Sequence, residues 1–156
     1  MSKKTVAYIA LGSNLDDREG YINSAVEQID RTAGLKVVKR SAIYETEPAG
    51  GPPQGKYLNA VIEVDCKLQP RELLDALMAI EKRLGRNRLG KNHPRTIDLD
   101  ILLIDDLILD QPDLVIPHPR MIEREFVLRP LAEIAPRLKH PLSGISIAKH
   151  LKAINK

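Results

Sequence analysis

Two aspartates one residue apart carry the chemistry that this sequence most directly suggests. In Arg95-Thr96-Ile97-Asp98-Leu99-Asp100-Ile101-Leu102, acidic and apolar side chains alternate. In an extended strand, side chains at i and i+2 share a face. Asp98 and Asp100 therefore point one way, and Ile97, Leu99 and Ile101 the other. Neighbouring carboxylates repel each other unless a cation or a proton lies between them. Hard oxygen donors at this spacing suit Mg²⁺, which takes one or two protein carboxylates and completes its shell with phosphate oxygens and water. Two ions held in this way could bridge a triphosphate. The segment just before the pair is cationic: Lys82, Arg83, Arg86, Arg88, Lys91 and Arg95 crowd into it. A guanidinium grips phosphate bidentately and stays charged. Metal and arginine together can neutralise charge on a transferring phosphoryl group. The expectation is a site for a metal–polyphosphate substrate.

The elements that must hold this site can be read from hydrophobic period and turn residues. Thr5–Leu11 is an apolar strand, and Gly12-Ser13-Asn14 reads as a turn and a mobile loop over the site. Asp16 or Asp17 caps a helix to about Thr32, with Ile22, Ala25, Val26 and Ile29 at helical spacing. Gly34 ends it, and Leu35–Thr46 follows as a strand. The stretch from Glu47 to Gly55 is a loop, because its prolines and glycines leave no ladder intact. Tyr57–Cys66 alternates, with Leu58, Ala60, Ile62 and Val64 on one face and Tyr57, Asn59, Val61, Glu63 and Asp65 on the other. Pro70 opens a helix striped by Leu73, Leu74, Leu77, Ile80 and Leu84 and ended by Gly85.

After the basic loop Arg86–Pro94 comes the strand Ile97–Ile104, then a turn at Asp105-Asp106 and a returning hairpin arm at Leu107–Leu109. Prolines cut the remainder into short pieces, with helices at Glu123–Ile134 and Ile145–Ile154. The order strand–helix–strand, twice, predicts an α+β fold: a ferredoxin-like βαββαβ sheet with both helices on one face and a C-terminal extension. The opposite face is then left for a site, partly covered by that extension.

Composition excludes several classes. At 156 residues and 43% hydrophobic, the chain suits one domain spanning residues 1–156 with a single core. No apolar run approaches the ~20 residues that a membrane span needs. A lone Cys66 rules out an internal disulfide and fits a reducing, cytoplasmic compartment. Aromatic residues make up only 3% and no RNP1-like pattern occurs, which argues against an RNA-binding sheet. There is no P-loop, no G-x-G-x-x-G and no zinc pattern. A nucleotide must then be held by arginines and metal rather than by a glycine cradle. A two-metal phosphohydrolase would need more carboxylate or His ligands than one D-x-D supplies.

Pro94 to Leu102, taken with several separated motifs, resembles the 6-hydroxymethyl-7,8-dihydropterin pyrophosphokinase family of folate biosynthesis. The other motifs are Ala10-Leu11-Gly12-Ser13-Asn14-Leu15, Tyr57-Leu58-Asn59-Ala60, Glu81 with Gly85-Arg86, Val115-Ile116-Pro117-His118 ahead of Phe126, and Pro130-Leu131-Ala132-Glu133-Ile134-Ala135-Pro136. The resemblance implies transfer of pyrophosphate from ATP to the hydroxymethyl group of the reduced pterin, with release of AMP. It implies that Asp98 and Asp100 hold two Mg²⁺ ions, and that Arg86 and Arg95 stabilise charge on the phosphates. Glu81, Arg88, Ile101, His118 and Arg124 would also serve the nucleotide. Thr46, Glu47, Ala49, Tyr57, Asn59 and Phe126 would form the pterin pocket, with Asn59 reading the ring's edge and Phe126 stacking on it. The partners implied are ATP and the pterin, with no nucleic acid or membrane, on a monomeric chain. The sequence departs from the family pattern where Asn92-His93 replaces a usual Trp-Gly, and at Glu47, Ala49 and Pro119. Loss of a stacking aromatic is expected to cost about 1–3 kcal/mol of ligand affinity.

Overall fold

A computed structural model describes residues 4–14, 17–46, 56–85 and 97–155. Its main sheet has five strands. These are β1 (Thr5–Ser13), β2 (Leu35–Arg40), β3 (Tyr44–Thr46), β4 (Tyr57–Cys66) and β5 (Asp98–Ile104). The order is β2-β4-β1-β5, with β3 also paired to β4, and every pairing is antiparallel. A separate hairpin joins β6 (Leu109–Gln111) to β7 (Leu114–Ile116). The helices are α1 (Arg18–Arg31), α2 (Pro70–Arg83), α3 (Glu125–Ile134) and α4 (Ile147–Ile154), with a short 3₁₀ turn at Met121–Glu123. The architecture is α+β.

Helix starts follow local chemistry. The Asp17 carboxylate accepts from the Gly20 N–H at 3.0 Å, which caps α1. Pro70 sits in the first turn of α2, where its missing N–H is not needed, and Glu72 reaches back to accept from the Gln69 N–H at 2.8 Å. Ser146 caps α4 through the Lys149 N–H.

The sheet is covered on both faces. Ala7, Ile9, Leu11, Ala60, Ile62 and Val64 pack on Ile22, Ala25 and Ile29 of α1 and Leu73, Leu77 and Ile80 of α2. On the other face, Tyr8, Val61, Leu102 and Leu103 pack on Met121, Val127, Leu128, Leu131 and Ile147. The expectation that α1 and α2 share a face therefore holds, and α3 and α4 cover more of the opposite face than a partial extension would. A register shift between Tyr8 and Ile9 against β5 turns both Leu102 and Leu103 onto the α3 side.

Five boundaries differ from the sequence reading. Gly12 and Ser13 are not a turn: they continue β1, paired to Asn59 and Leu58 of β4. The stretch Leu35–Thr46 is not one strand. It breaks between β2 and β3, where Ser41 replaces regular ladder bonds: its N–H donates to Val61 O, and its hydroxyl accepts from the Val61 N–H, both at 2.9 Å. Leu107–Leu109 does not return along β5. Only Leu109 enters a strand, and that strand pairs with β7. The helix expected from Glu123 starts at Glu125, after the 3₁₀ turn, and the one expected from Ile145 starts at Ile147.

The link between α3 and α4 contains a buried imidazole. His140 is 4% exposed, and its Nδ1 accepts from the N–H groups of Leu142 (3.2 Å) and Ser143 (3.4 Å). His150 lies edge-on to it, with ring centroids 5.9 Å apart. Burial, and then the neighbouring His150, hold the His140 pKa below its ordinary value. Since the unfolded imidazole takes up its proton more readily, this group's stabilisation is complete above the ordinary His pKa of about 6.5 and is lost as pH falls below it. Thermal melts between about pH 7.5 and about pH 5.5 should therefore show a shallower fall in Tm for His140→Asn, whose amide oxygen accepts the same bonds without titrating. Parallel Tm curves for the two proteins would contradict this assignment.

Candidate active site

Register places the acidic pair on the end strand β5, next to β1. Gly12 of β1 lies opposite Asn59 of β4 on one side and Asp98 of β5 on the other. Asn59 in turn lies opposite Tyr44 of β3. One row further in, Ala10 lies between Val61 and Asp100. Strands are about 4.8 Å apart, so Asn59 and Asp98 face each other across roughly 10 Å with only a glycine between them.

Leu99 and Ile101 are buried on the α1–α2 side. Asp98 and Asp100 therefore point to the α3 side, on one face as the spacing predicts. Asp98 is half-buried and Asp100 is exposed. Val61 packs on α3 from the next row of the same face, whereas the row of Asn59, Gly12 and Asp98 offers polar side chains either side of a glycine.

Gly12 lies outside the left-handed region that Gly34, Gly85 and Gly144 occupy. Its lack of a side chain matters for space instead. A Cβ there would sit 3.4 Å from Asn59 Oδ1 and 3.9 Å from the Tyr57 ring. Tyr57 and Asn59 thus flank Gly12 on one face. The Asn59 side chain is almost buried, and its Nδ2 donates to Thr46 Oγ1 at 2.6 Å. This bond turns the amide so that Oδ1 lies toward Gly12. On the exposed flank, Arg18 bonds Glu45 at 3.1 Å and the Lys56 carbonyl at 2.8 Å, which ties β3 and the start of β4 to α1.

Glu81 approaches from the other side. It is 5% exposed on α2, and its Oε2 accepts from the Leu99 N–H at 2.8 Å. It thereby anchors the peptide between Asp98 and Asp100. In Glu81→Ala that buried N–H loses its acceptor, at a cost of about 1–3 kcal/mol. Denaturant melts and amide exchange at Leu99 should register the loss, and Glu81→Gln should recover most of it through its amide oxygen. Unchanged Leu99 protection in Glu81→Ala would refute the anchor. Ile101 is likewise buried among core residues, so its side chain faces away from the aspartates. By the strand period, its N–H and C=O point to the same outer edge as the Leu99 N–H.

His118 lies along that edge, its N–H donating to Leu102 O at 2.9 Å. Burial lowers the His118 pKa. The Asp100 charge acts in the opposite direction, and Arg124 and Arg120 add to the lowering. The neutral ring accepts from the Arg120 N–H at Nδ1 (3.3 Å), which leaves Nε2 to carry the proton. Arg124 stands at the start of α3 with its guanidinium carbon 5.5 Å from the Phe126 ring centroid. Phe126 packs at the margin of the α3-side cluster.

The structure therefore gathers Asp98, Asp100, Thr46, Tyr57 and Asn59 on one face, with His118 beside Asp100. It puts Glu81 and the side chain of Ile101 beneath that face. Arg86, Arg88, Arg95, Glu47 and Ala49 lie outside the described residues, as do Asn92 and His93. Sequence reasoning missed Gly12 as part of the floor. The signal was present: Gly12 stands within an apolar strand, where glycine often marks the close approach of a ligand.

A family model described as 7,8-dihydro-6-hydroxymethylpterin-pyrophosphokinase (HPPK) matches residues 8–136. The chain belongs to this family. Among HPPK relatives, the 2-amino-4-hydroxy-6-hydroxymethyldihydropteridine pyrophosphokinase of Bacillus subtilis is 48% identical over 134 residues, covering 86% of this chain and 80% of that protein. The folic acid synthesis protein fol1 of Pneumocystis carinii is 44% identical over 147 residues, 94% of this chain but only 20% of the fungal one. The crystal structure of Plasmodium falciparum HPPK-DHPS with pteroate superposes with a TM-score of 0.78 at 16% identity, covering 98% of this chain and 43% of that one. This last match is a likeness of fold.

A divalent cation suits the acidic pair. The two carboxylates share a face, and neither is fully buried. Among the described residues no group of three Asp, Glu, His or Cys side chains forms a metal cage. Two carboxylates would leave room for phosphate oxygens and water around Mg²⁺.

Proposed function

We propose that this chain transfers the terminal pyrophosphoryl group of ATP to the hydroxymethyl oxygen of 6-hydroxymethyl-7,8-dihydropterin, giving AMP and the dihydropterin diphosphate in folate synthesis. The observation that carries the reading is the row Asn59–Gly12–Asp98, which sets an amide, a glycine and a carboxylate suited to a divalent cation in one row of the sheet in a member of the HPPK family. In this mechanism the Asn59 amide and Thr46 read the pterin's hydrogen-bonding edge, while Tyr57 and Phe126 bound its ring. Two Mg²⁺ ions held by Asp98 and Asp100 would supply charge neutralisation on the triphosphate.

The hydroxymethyl oxygen attacks the β-phosphorus in line, the bond to the α–β bridging oxygen breaks, and AMP departs. Asp98 orients the attacking hydroxyl and draws off its proton. His118 and Arg124 face the nucleotide, Ile101 offers its backbone edge to the base, and Arg86 and Arg95 stabilise charge on the phosphates. Glu81 acts through the Leu99 peptide.

We read the fold as ferredoxin-like from its antiparallel strand order and from the two helices on one face. We read residues 1–156 as one pyrophosphokinase domain, monomeric and cytoplasmic. No helix among the described residues is long and apolar enough to cross a membrane. The decisive assay supplies ATP, Mg²⁺ and the reduced hydroxymethyl pterin and measures AMP. Production of AMP that depends on all three is expected. Inorganic phosphate released from ATP without any pterin diphosphate would instead make the chain a phosphohydrolase.

A further inference from the structure

The C-terminal motif Pro130–Pro136 contains a carboxylate that none of the steps above uses. We propose that Glu133 is a positioning residue for the pterin pocket, holding β3 so that Thr46 fixes the amide of Asn59; this rests on the functional reading above.

β3 is only three residues long and follows the break at residues 41–43. Ser41 is fastened to Val61, but regular pairing resumes only at Tyr44, opposite Asn59. Glu133 spans that gap. Its two carboxylate oxygens accept from the Ala42 N–H at 3.1 and 3.0 Å, and Oε1 also accepts from the Tyr44 hydroxyl at 2.6 Å. The helix that carries it is seated in the core by Val127, Leu128 and Leu131.

Tyr44, opposite Asn59, and Thr46, opposite Tyr57, lie two residues apart and share the α3-side face. A rigid path therefore runs from α3 through the Glu133 carboxylate to Tyr44, along one residue of strand to Thr46, and across a 2.6 Å bond to Asn59. Without Glu133, this short strand would keep its pairing with β4 and the exposed Arg18–Glu45 ion pair, but would lose its tie to α3. A shift of about 1 Å in Thr46 would free the Asn59 amide to rotate, and misplacements of that size can cost about 100-fold.

The phenol of Tyr44 reports on the contact. Its pKa lies above the ordinary value, chiefly because Glu133 accepts its hydrogen bond. The test uses Glu133→Ala, Glu133→Gln and Tyr44→Phe in the full chain. It compares binding of 6-hydroxymethyl-7,8-dihydropterin, in the presence of Mg²⁺ and a non-hydrolysable ATP analogue, with binding of that analogue alone. Ultraviolet titration follows the tyrosines. Glu133→Ala should return Tyr44 toward normal titration and weaken pterin binding by about 10–100-fold, with analogue affinity changed less than about 2-fold. Glu133→Gln should recover most of the loss, because its amide oxygen still accepts.

Unaltered pterin affinity in a folded Glu133→Ala whose Tyr44 titrates normally would overturn the proposal, as would equal losses for pterin and analogue. Should Glu133→Ala fail to fold, Tyr44→Phe decides, since it removes the 2.6 Å bond to Glu133: it should weaken pterin binding more than analogue binding, and unchanged pterin binding overturns the proposal. A wild-type chain that binds no pterin at all would sink the functional reading and this inference together. Pterin binding indifferent to Glu133 would sink this inference alone.

Discussion

Asp98→Ala and Asp100→Ala should each reduce pterin-dependent AMP formation by at least about 10³-fold. Deleting a single preorganised electrostatic contact at a reacting centre costs about 10²–10³-fold, and these carboxylates are the charges that would bring divalent cations to the triphosphate. The fold should survive. Asp100 is exposed, Asp98 is half-buried, and neither belongs to a core cluster, so each change should cost less than about 1 kcal/mol of stability. Asp98→Asn is the sharper variant, since it keeps the shape and loses the charge. Turnover assays paired with Mn²⁺ titration followed by electron paramagnetic resonance would check both claims. Near-wild-type turnover in both alanine variants would remove the metal assignment, and loss of activity with full Mn²⁺ affinity would move the aspartates to another role.

Gly12→Val should abolish pterin binding by roughly 100-fold while leaving the sheet intact. A Cβ alone fits at Gly12, at 3.4 Å from Asn59 Oδ1, so Gly12→Ala should be mild. The two γ-methyls of valine must extend further, over the floor between Asn59 and Asp98. Steric overpacking of this kind costs about 1–3 kcal/mol, and here it falls on the ligand rather than on the core. β-branched residues favour strands and glycine weakens them, so melting temperature should hold or rise. Calorimetric titration with the pterin and, separately, with an ATP analogue would show the effect. Pterin affinity in Gly12→Val equal to that of the wild type would mean that no ligand crosses this row.

Much of the fold was legible because it depends on neighbours in sequence. Asp17 and Pro70 mark helix starts through groups within one turn of themselves, and the stripes of α1 and α2 pack on the core as expected, with Val26, Leu74 and Leu84 at its margin. The alternation of Tyr57–Cys66 gave β4 its bounds, since a period of two follows from backbone geometry alone. The misread segments depend on distant partners. Gly12 and Ser13 look like a turn until Asn59 and Leu58 pair with them. Leu35–Thr46 looks continuous until the Ser41 hydroxyl takes the N–H of Val61, 20 residues away. Glu81 and Glu133 read as members of motifs, but nothing nearby in the chain shows that they hold the Leu99 peptide and the Tyr44 strand.

By itself, the sequence determined that Asp98 and Asp100 share a face, because that follows from extended backbone and spacing. With the separated motifs, it also determined the family. Only the tertiary structure decided what lies beside them: Gly12 without a side chain, Asn59 across it with its amide turned by Thr46, and His118 at the Asp100 edge. Such neighbours come from strand register. Register is set by which residues the whole sheet buries against its helices, and a slip of one residue would turn every one of these side chains to the other face.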